Sequence, residues 1–123
     1  MAHAHPLVLL IDDHDDARDG MAELLLQEGY RVETARGGRE ALRILRTVHP
    51  CIILLDLMMP DMSGYDFRQA QLADDDLKDI PVVVYSAAHD IVAQTKQLGA
   101  AGFAQKPIEI GRLMEMVRQH CLK

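Results

Sequence analysis

Three short runs of this chain are apolar at nearly every position: Leu7 to Ile11 (LVLLI), Ile52 to Leu55 (IILL) and Val82 to Tyr85 (VVVY). A strand with one face in water alternates apolar and polar residues, because successive side chains point to opposite faces. A run without alternation has to be covered on both faces. Each of these runs is followed by a segment whose apolar residues recur at helical spacing. Doubly buried strands separated by helices are the pattern of a parallel sheet with helices packed on each side.

The rest of the chain fills in that pattern. Ala17, Met21, Leu24, Leu25 and Glu28 follow helical spacing, and Gly29 closes that helix. Tyr30 to Ala35 alternates and predicts a second strand. Ala41, Leu42, Leu45 and Val48 predict a helix that stops before Pro50. A third helix follows Ser63, a suitable N-cap, with Phe67 and Ala70 facing inward. Ile91, Val92, Thr95 and Leu98 mark a fourth helix ended by Gly99, and Phe103 and Ala104 sit in a short fifth strand. Ile110, Leu113, Met114, Val117 and Cys121 recur at helical spacing to the end of the chain. The order is strand then helix, five times over, in a single domain spanning residues 1–123. The acidic run Asp74-Asp75-Asp76 reads as a solvated loop between the third helix and the fourth strand.

Composition narrows the function classes. The formal net charge is −6, which argues against direct nucleic-acid binding. The apolar runs are too short for membrane insertion, and the first residues, MAHAHP, lack the features of a signal peptide. A cytoplasmic location is the expectation. Cys51 and Cys121 lie in apolar patterns and read as two small core residues, with neither metal spacing nor a disulfide framework.

In an open parallel sheet, ligands bind beyond the carboxyl ends of the strands. The first strand ends in Asp12-Asp13, the third in Asp56, the fourth in Ser86 and the fifth in Lys106-Pro107. Taken singly, each has an ordinary structural role as a cap, a turn residue or an exposed lysine. Together they put three carboxylates, a hydroxyl and an ammonium at one edge of the sheet. Clustered carboxylates repel one another, and a divalent cation relieves that repulsion. Hard oxygen donors favour Mg²⁺, with Mn²⁺ as the alternative ion. A carboxylate beside a cation and a lysine is suited to attack phosphorus and form an aspartyl phosphate. His14 adjoins the acidic pair as a fourth polar group, although an exposed residue at the start of the first helix is the simpler account.

The motifs IDDH at 11–14, GGREAL at 37–42, LLDLMMPDMSG at 54–64, YSA at 85–87 and GFAQKP at 102–107 resemble, in that order, the receiver domain of bacterial two-component response regulators. The resemblance covers essentially the whole chain. It implies a flavodoxin-like (βα)5 fold with strand order 2-1-3-4-5, an order that receiver domains are known to have. It implies that Asp56 is the phospho-acceptor. Asp13 would ligate Mg²⁺ directly, Asp12 through water, and the Met58 carbonyl would complete the protein ligands. Lys106 and Ser86 would bind the phosphoryl group, and Ser86 and Phe103 would form the switch. Pro107 would follow a cis peptide bond. The phosphoryl donor would be a sensor histidine kinase or a histidine phosphotransfer protein, and the face built from the fourth helix, fifth strand and fifth helix would bind a downstream protein target.

The chain departs from the family pattern at a few places. Phe103 replaces a frequent tyrosine and has no hydroxyl. Ala101 and Gly102 stand where regulators with DNA-binding output carry acidic residues, which puts that mode of dimerisation in doubt. Met58 and Ala88 are unable to position a hydrolytic water. Other readings remain at this level. One is a protein-binding module that is never phosphorylated. Another is a Mg²⁺-dependent phosphohydrolase, but Met58 stands where such enzymes carry a second acid. A flavin site would need a Ser/Thr-rich loop after the first strand, where the chain instead reads DDHDDARDG.

Overall fold

The computed structural model describes residues 6–57, 59, 61–87 and 89–121. The elements run β1 (Leu7–Ile11), α1 (Asp15–Gln27), β2 (Arg31–Ala35), α2 (Gly38–Ile44), β3 (Ile52–Asp56), α3 (Gly64–Leu72), β4 (Val82–Ser86), α4 (Ile91–Leu98), β5 (Gly102–Gln105) and α5 (Ile110–His120). The strands form one parallel sheet in the order β2-β1-β3-β4-β5. Every residue of β1, β3 and β4 is buried. Leucine is a good helix former, yet LVLLI is a strand. The propensity at stake is below about 0.7 kcal/mol per residue. Full burial of an aliphatic side chain contributes about 1.5–3 kcal/mol, so burial on both faces decides.

The alternation of each strand sorts its side chains between two cores. Val8, Leu10, Ile52, Leu54, Val83 and Tyr85 pack with Leu25 of α1 and with Leu113, Met116 and Val117 of α5. Leu9, Ile11, Ile53, Leu55 and Val82 face the other way, toward Ala41 of α2 and Phe67 of α3. Val84 packs with Ile91 and Leu98 of α4. Ser63 caps α3 as its sequence suggests, its Oγ accepting the Asp66 backbone N–H at 3.0 Å. Gly99 ends α4 in the left-handed conformation, which favours glycine.

Some expectations are corrected. The helix over Ala41 to Val48 ends early, at Ile44. The Arg46 and Thr47 N–H groups turn back to the Arg43 and Ile44 carbonyls, and the Thr47 hydroxyl also donates to the Ile44 carbonyl. This tightens the end into a turn. The two cysteines are joined: Cys51, just before β3, and Cys121, just after α5, form a disulfide with a Cα–Cα distance of 5.5 Å. They lie 70 residues apart, and periodicity carries no information on where the end of α5 lands. Closing a long loop of this kind typically stabilises a fold by about 2–4 kcal/mol.

Glycines 37 and 38 answer to a tertiary contact. Asp61, in the loop after β3, accepts the N–H groups of Gly38 and Arg39 at 3.1 Å each and so caps α2 from outside. A Cβ at Gly37 would collide with that carboxylate. On the same side of the sheet, Arg68 of α3 donates to the carbonyls of Leu98 and Gly99 at 2.9 and 2.8 Å, tying α3 to the end of α4. The neighbouring Gln71 is fully buried and donates to the carbonyls of Leu77 and Ile80, both at 2.9 Å, while accepting from Arg68 at 2.7 Å. Replacing Gln71 with Leu keeps the volume but orphans two carbonyls and a guanidinium N–H. We expect a loss of about 2 kcal/mol or more in urea unfolding. A loss under about 0.5 kcal/mol would mean that water takes over these groups.

Candidate functional site

The parallel arrangement delivers the carboxyl ends of β1, β3, β4 and β5 to one edge. β1 is extended by the Asp12 N–H, which donates to the Ala35 carbonyl at 3.0 Å. Asp56 is the last residue of β3 and pairs with Tyr85 of β4, and Ser86 pairs with Gln105 of β5. Asp12, Asp56 and Ser86 are buried, while Asp13 is exposed. Lys106 lies just past β5, and the Lys106-Pro107 bond is cis. Its Nζ reaches 3.0 Å from Asp56 Oδ2 and 3.7 Å from Asp12 Oδ2.

Ligand atoms of Asp12, Asp13, His14 and Asp56 all lie within 4.8 Å of one another. Three carboxylates therefore face one ammonium, an excess of two negative charges. One divalent cation balances that excess, and carboxylate oxygens are the donors that such hard cations take. The donor set fits the ion that the resemblance implies. His14, Asp56 and Lys106 also line a cavity of about 500 Å³ at this edge, large enough for a phosphoryl group.

Asp12 is fully buried yet held as a carboxylate. Burial pushes its pKa up, but the His14 backbone N–H, the Tyr85 hydroxyl and the Lys106 charge help to hold it below the usual range. The Tyr85 hydroxyl donates to Asp12 Oδ2 at 2.7 Å. Burial and the adjacent Asp12 charge push the Tyr85 pKa far upward, so its proton stays on as a donor. The Lys106 ammonium stands 4.9 Å from the centre of the Tyr85 ring, within cation–π range. Tyr85 was hidden in the sequence because it closes an apolar run. Its signal was a residue with a polar tip, needing a partner, at a fully buried position.

The structure brings together Asp12, Asp13, Asp56, Lys106 and Ser86 at this edge. Phe103 stands apart from the carboxylates, half-buried against Val84, Ile91 and Leu98. Met58 and Ala88 lie outside the described residues. Arg18 of α1 was also missed: it is buried and ion-paired with Asp15 and Asp19, and Nη1 donates to the Asp12 carbonyl at 3.3 Å. Ala17, Met21 and Leu24, which the helical spacing picks out, line an open apolar groove of about 540 Å³ against Pro107, Ile108, Ile110 and Leu113, while Met21 also packs against the core. Ile110 and Val92, which belong to the same helical spacings, are exposed.

The sequence model of the response regulator receiver domain matches residues 8–118. The chain belongs to that family. Receiver domains are phospho-acceptor signalling modules of two-component systems. The transcriptional regulatory protein AfsQ1 of Streptomyces coelicolor is 32% identical over 112 residues, which cover 89% of this chain but 48% of AfsQ1. The chain therefore spans about half of that relative's length. The polar-differentiation response regulator DivK of Brucella ovis is 28% identical over 115 residues, covering 92% of this chain and 94% of DivK. The chemotaxis response regulator CheY4 of Vibrio cholerae superposes with a TM-score of 0.86 at 30% identity, covering 94% of this chain and 98% of CheY4. The family and the superposition agree with the sheet order found here. Among the described residues, no helix is long and apolar enough to cross a membrane.

The Tyr85 hydroxyl is a test of how the buried charge is held. In Tyr85→Phe, Asp12 loses a donor to a charged acceptor, and we expect the metal-free protein to lose about 1.5–3 kcal/mol in urea unfolding. Saturating Mg²⁺ should recover part of that loss. Equal stability of the two proteins without metal would show that the bond contributes nothing net.

Proposed function

We propose that this receiver domain takes its phosphoryl group on Asp56, from a phosphohistidine on a sensor kinase or histidine phosphotransfer protein. The observation that carries the reading is the Asp56 carboxylate at the end of β3, with Lys106 Nζ 3.0 Å away. A carboxylate oxygen of Asp56 attacks phosphorus as the donor's P–N bond breaks, and the imidazole leaves with the electron pair and is protonated. The acidic cluster would hold Mg²⁺ through Asp13 and Asp56, with Asp12 acting through water and the Met58 carbonyl as a further ligand. When bound, the ion supplies positive charge that neutralises phosphoryl oxygens. Lys106 moves from its Asp56 pairing to the phosphoryl oxygens and keeps the charge balanced through transfer.

Ser86 is the second phosphoryl contact. It lies at the end of β4, and its carbonyl accepts the Lys106 N–H at 2.9 Å, so the two phosphoryl-binding residues share one piece of backbone. Movement of the Ser86 side chain toward the phosphoryl group vacates space beside Phe103. Phe103, only half-buried, then turns inward, and the α4-β5-α5 face presents a different surface to its protein target. Phosphorylation shifts that equilibrium only by the difference in its interaction energy with the two arrangements.

The apolar groove between α1 and the Pro107–Leu113 segment shares Asp16, Ala17, Ala87 and Lys106 with the acidic cavity. That continuity suits a donor helix that lays an apolar face in the groove and its phosphohistidine over Asp56. The protein would act in the cytoplasm, where reducing conditions would bear on the Cys51–Cys121 bond. It would turn over no external substrate, since no acid stands two residues after Asp56.

Intact-mass analysis after incubation with a small acyl phosphate and Mg²⁺ tests the assignment. The unmodified protein should gain one phosphoryl mass. Asp56→Asn and a chelator-treated sample should gain none. Undiminished labelling of Asp56→Asn would place the acceptor elsewhere. No labelling at all, with donor kinases included, would favour a phosphorylation-independent binding module.

A further inference from the structure

The His14 side chain is mostly exposed, and its contacts are polar ones to the acidic pair. The ring is 66% exposed and makes no capping bond at the start of α1, and its backbone N–H is the group that anchors Asp12 Oδ1, at 2.9 Å. The ring is nonetheless turned into the acidic site. Nδ1 lies 3.3 Å from Asp12 Oδ1 and 3.3 Å from Asp13 Oδ1. Neighbouring donors around a six-coordinate ion with bonds of about 2.1 Å are about 3 Å apart. The imidazole nitrogen therefore stands close to one ligand–ligand spacing from both carboxylates, on the wall of the cavity that contains Asp56 and Lys106.

We propose that His14 Nδ1 is an additional metal ligand, which makes this site select first-row transition-metal ions such as Mn²⁺ over Mg²⁺. This rests on the reading that the acidic cluster holds a divalent cation. Mg²⁺ is hard, keeps its waters and gains little from an imidazole. Borderline ions gain from exchanging a water for imidazole nitrogen. A site of carboxylates alone takes both kinds of ion through oxygen. Here the exposed ring adds a nitrogen donor at small cost, because it gives up no packing in the core and is already oriented.

The test uses Mn²⁺ as the probe on the whole chain. Pulsed electron spin resonance of the Mn²⁺ complex should show nitrogen coupling from a directly bound imidazole. The coupling should vanish in His14→Ala. The other five histidines contribute the same background to both proteins. Free-Mn²⁺ titrations should show His14→Ala weakening Mn²⁺ about tenfold. Displacement of Mn²⁺ by Mg²⁺ should show the Mg²⁺ affinity changed by less than about twofold. The exposed position makes the alanine variant safe for folding. Unchanged coupling, or equal losses for Mn²⁺ and Mg²⁺, would overturn the role of His14 and leave the cation site standing. Failure of the unmodified protein to bind either ion would overturn both.

Discussion

Everything at the working edge of this molecule follows from holding charge where water is scarce. Asp12 and Asp56 are buried at the ends of adjacent parallel strands, and the Lys106 ammonium reaches both. Unpaired, such carboxylates would protonate or destabilise the fold. Here Asp12 is met by a tyrosine hydroxyl, a backbone N–H and the lysine, and so remains an anion in a poorly solvated setting. That condition strengthens any interaction with a cation or phosphoryl oxygen, because local charges are weakly screened. The arrangement stays short of neutrality, which leaves it receptive to further positive charge.

The sheet makes that edge possible. Parallel strands with crossover helices put all their carboxyl ends on one side, so residues far apart in the chain converge without any local motif. The two faces divide the remaining work. One core, under α1 and α5, is closed at the far edge by the Cys51–Cys121 bond. The other, under α2, α3 and α4, is tied by side-chain bonds to backbone: Asp61 to the start of α2, Arg68 to the end of α4, and Gln71 to the loop before β4.

What the sequence made legible follows the same physics. Runs such as LVLLI declare double burial, and polar residues at their ends declare an edge, so the strand order of charge along the chain was readable. The features that were hidden depend on three-dimensional return. Nothing near Cys121 in sequence says that it meets Cys51. Tyr85 looks like one more apolar residue until Asp12 is seen 2.7 Å from its hydroxyl. Arg18 falls one position from Ala17 in a helical pattern, yet it is the arginine that is buried, because Asp15, Asp19 and the Asp12 carbonyl satisfy its donors. Helix α2 ends early for a local reason, the turn closed by Thr47, that periodicity of apolar residues does not register.

The Arg68 contacts give α4 an asymmetry. Its carboxyl end is clamped through the Leu98 and Gly99 carbonyls, whereas Asp90 at its other end makes no side-chain cap to the backbone. At that other end it is apolar packing, Ile91 buried against Val84, that holds the helix. A rearrangement of α4 that kept the Arg68 contacts would therefore be a swing about its carboxyl end, with displacement growing toward Ile91. The surface beside the acidic edge would then travel farthest, and the surface near Gly99 would serve as the reference against which that travel is read.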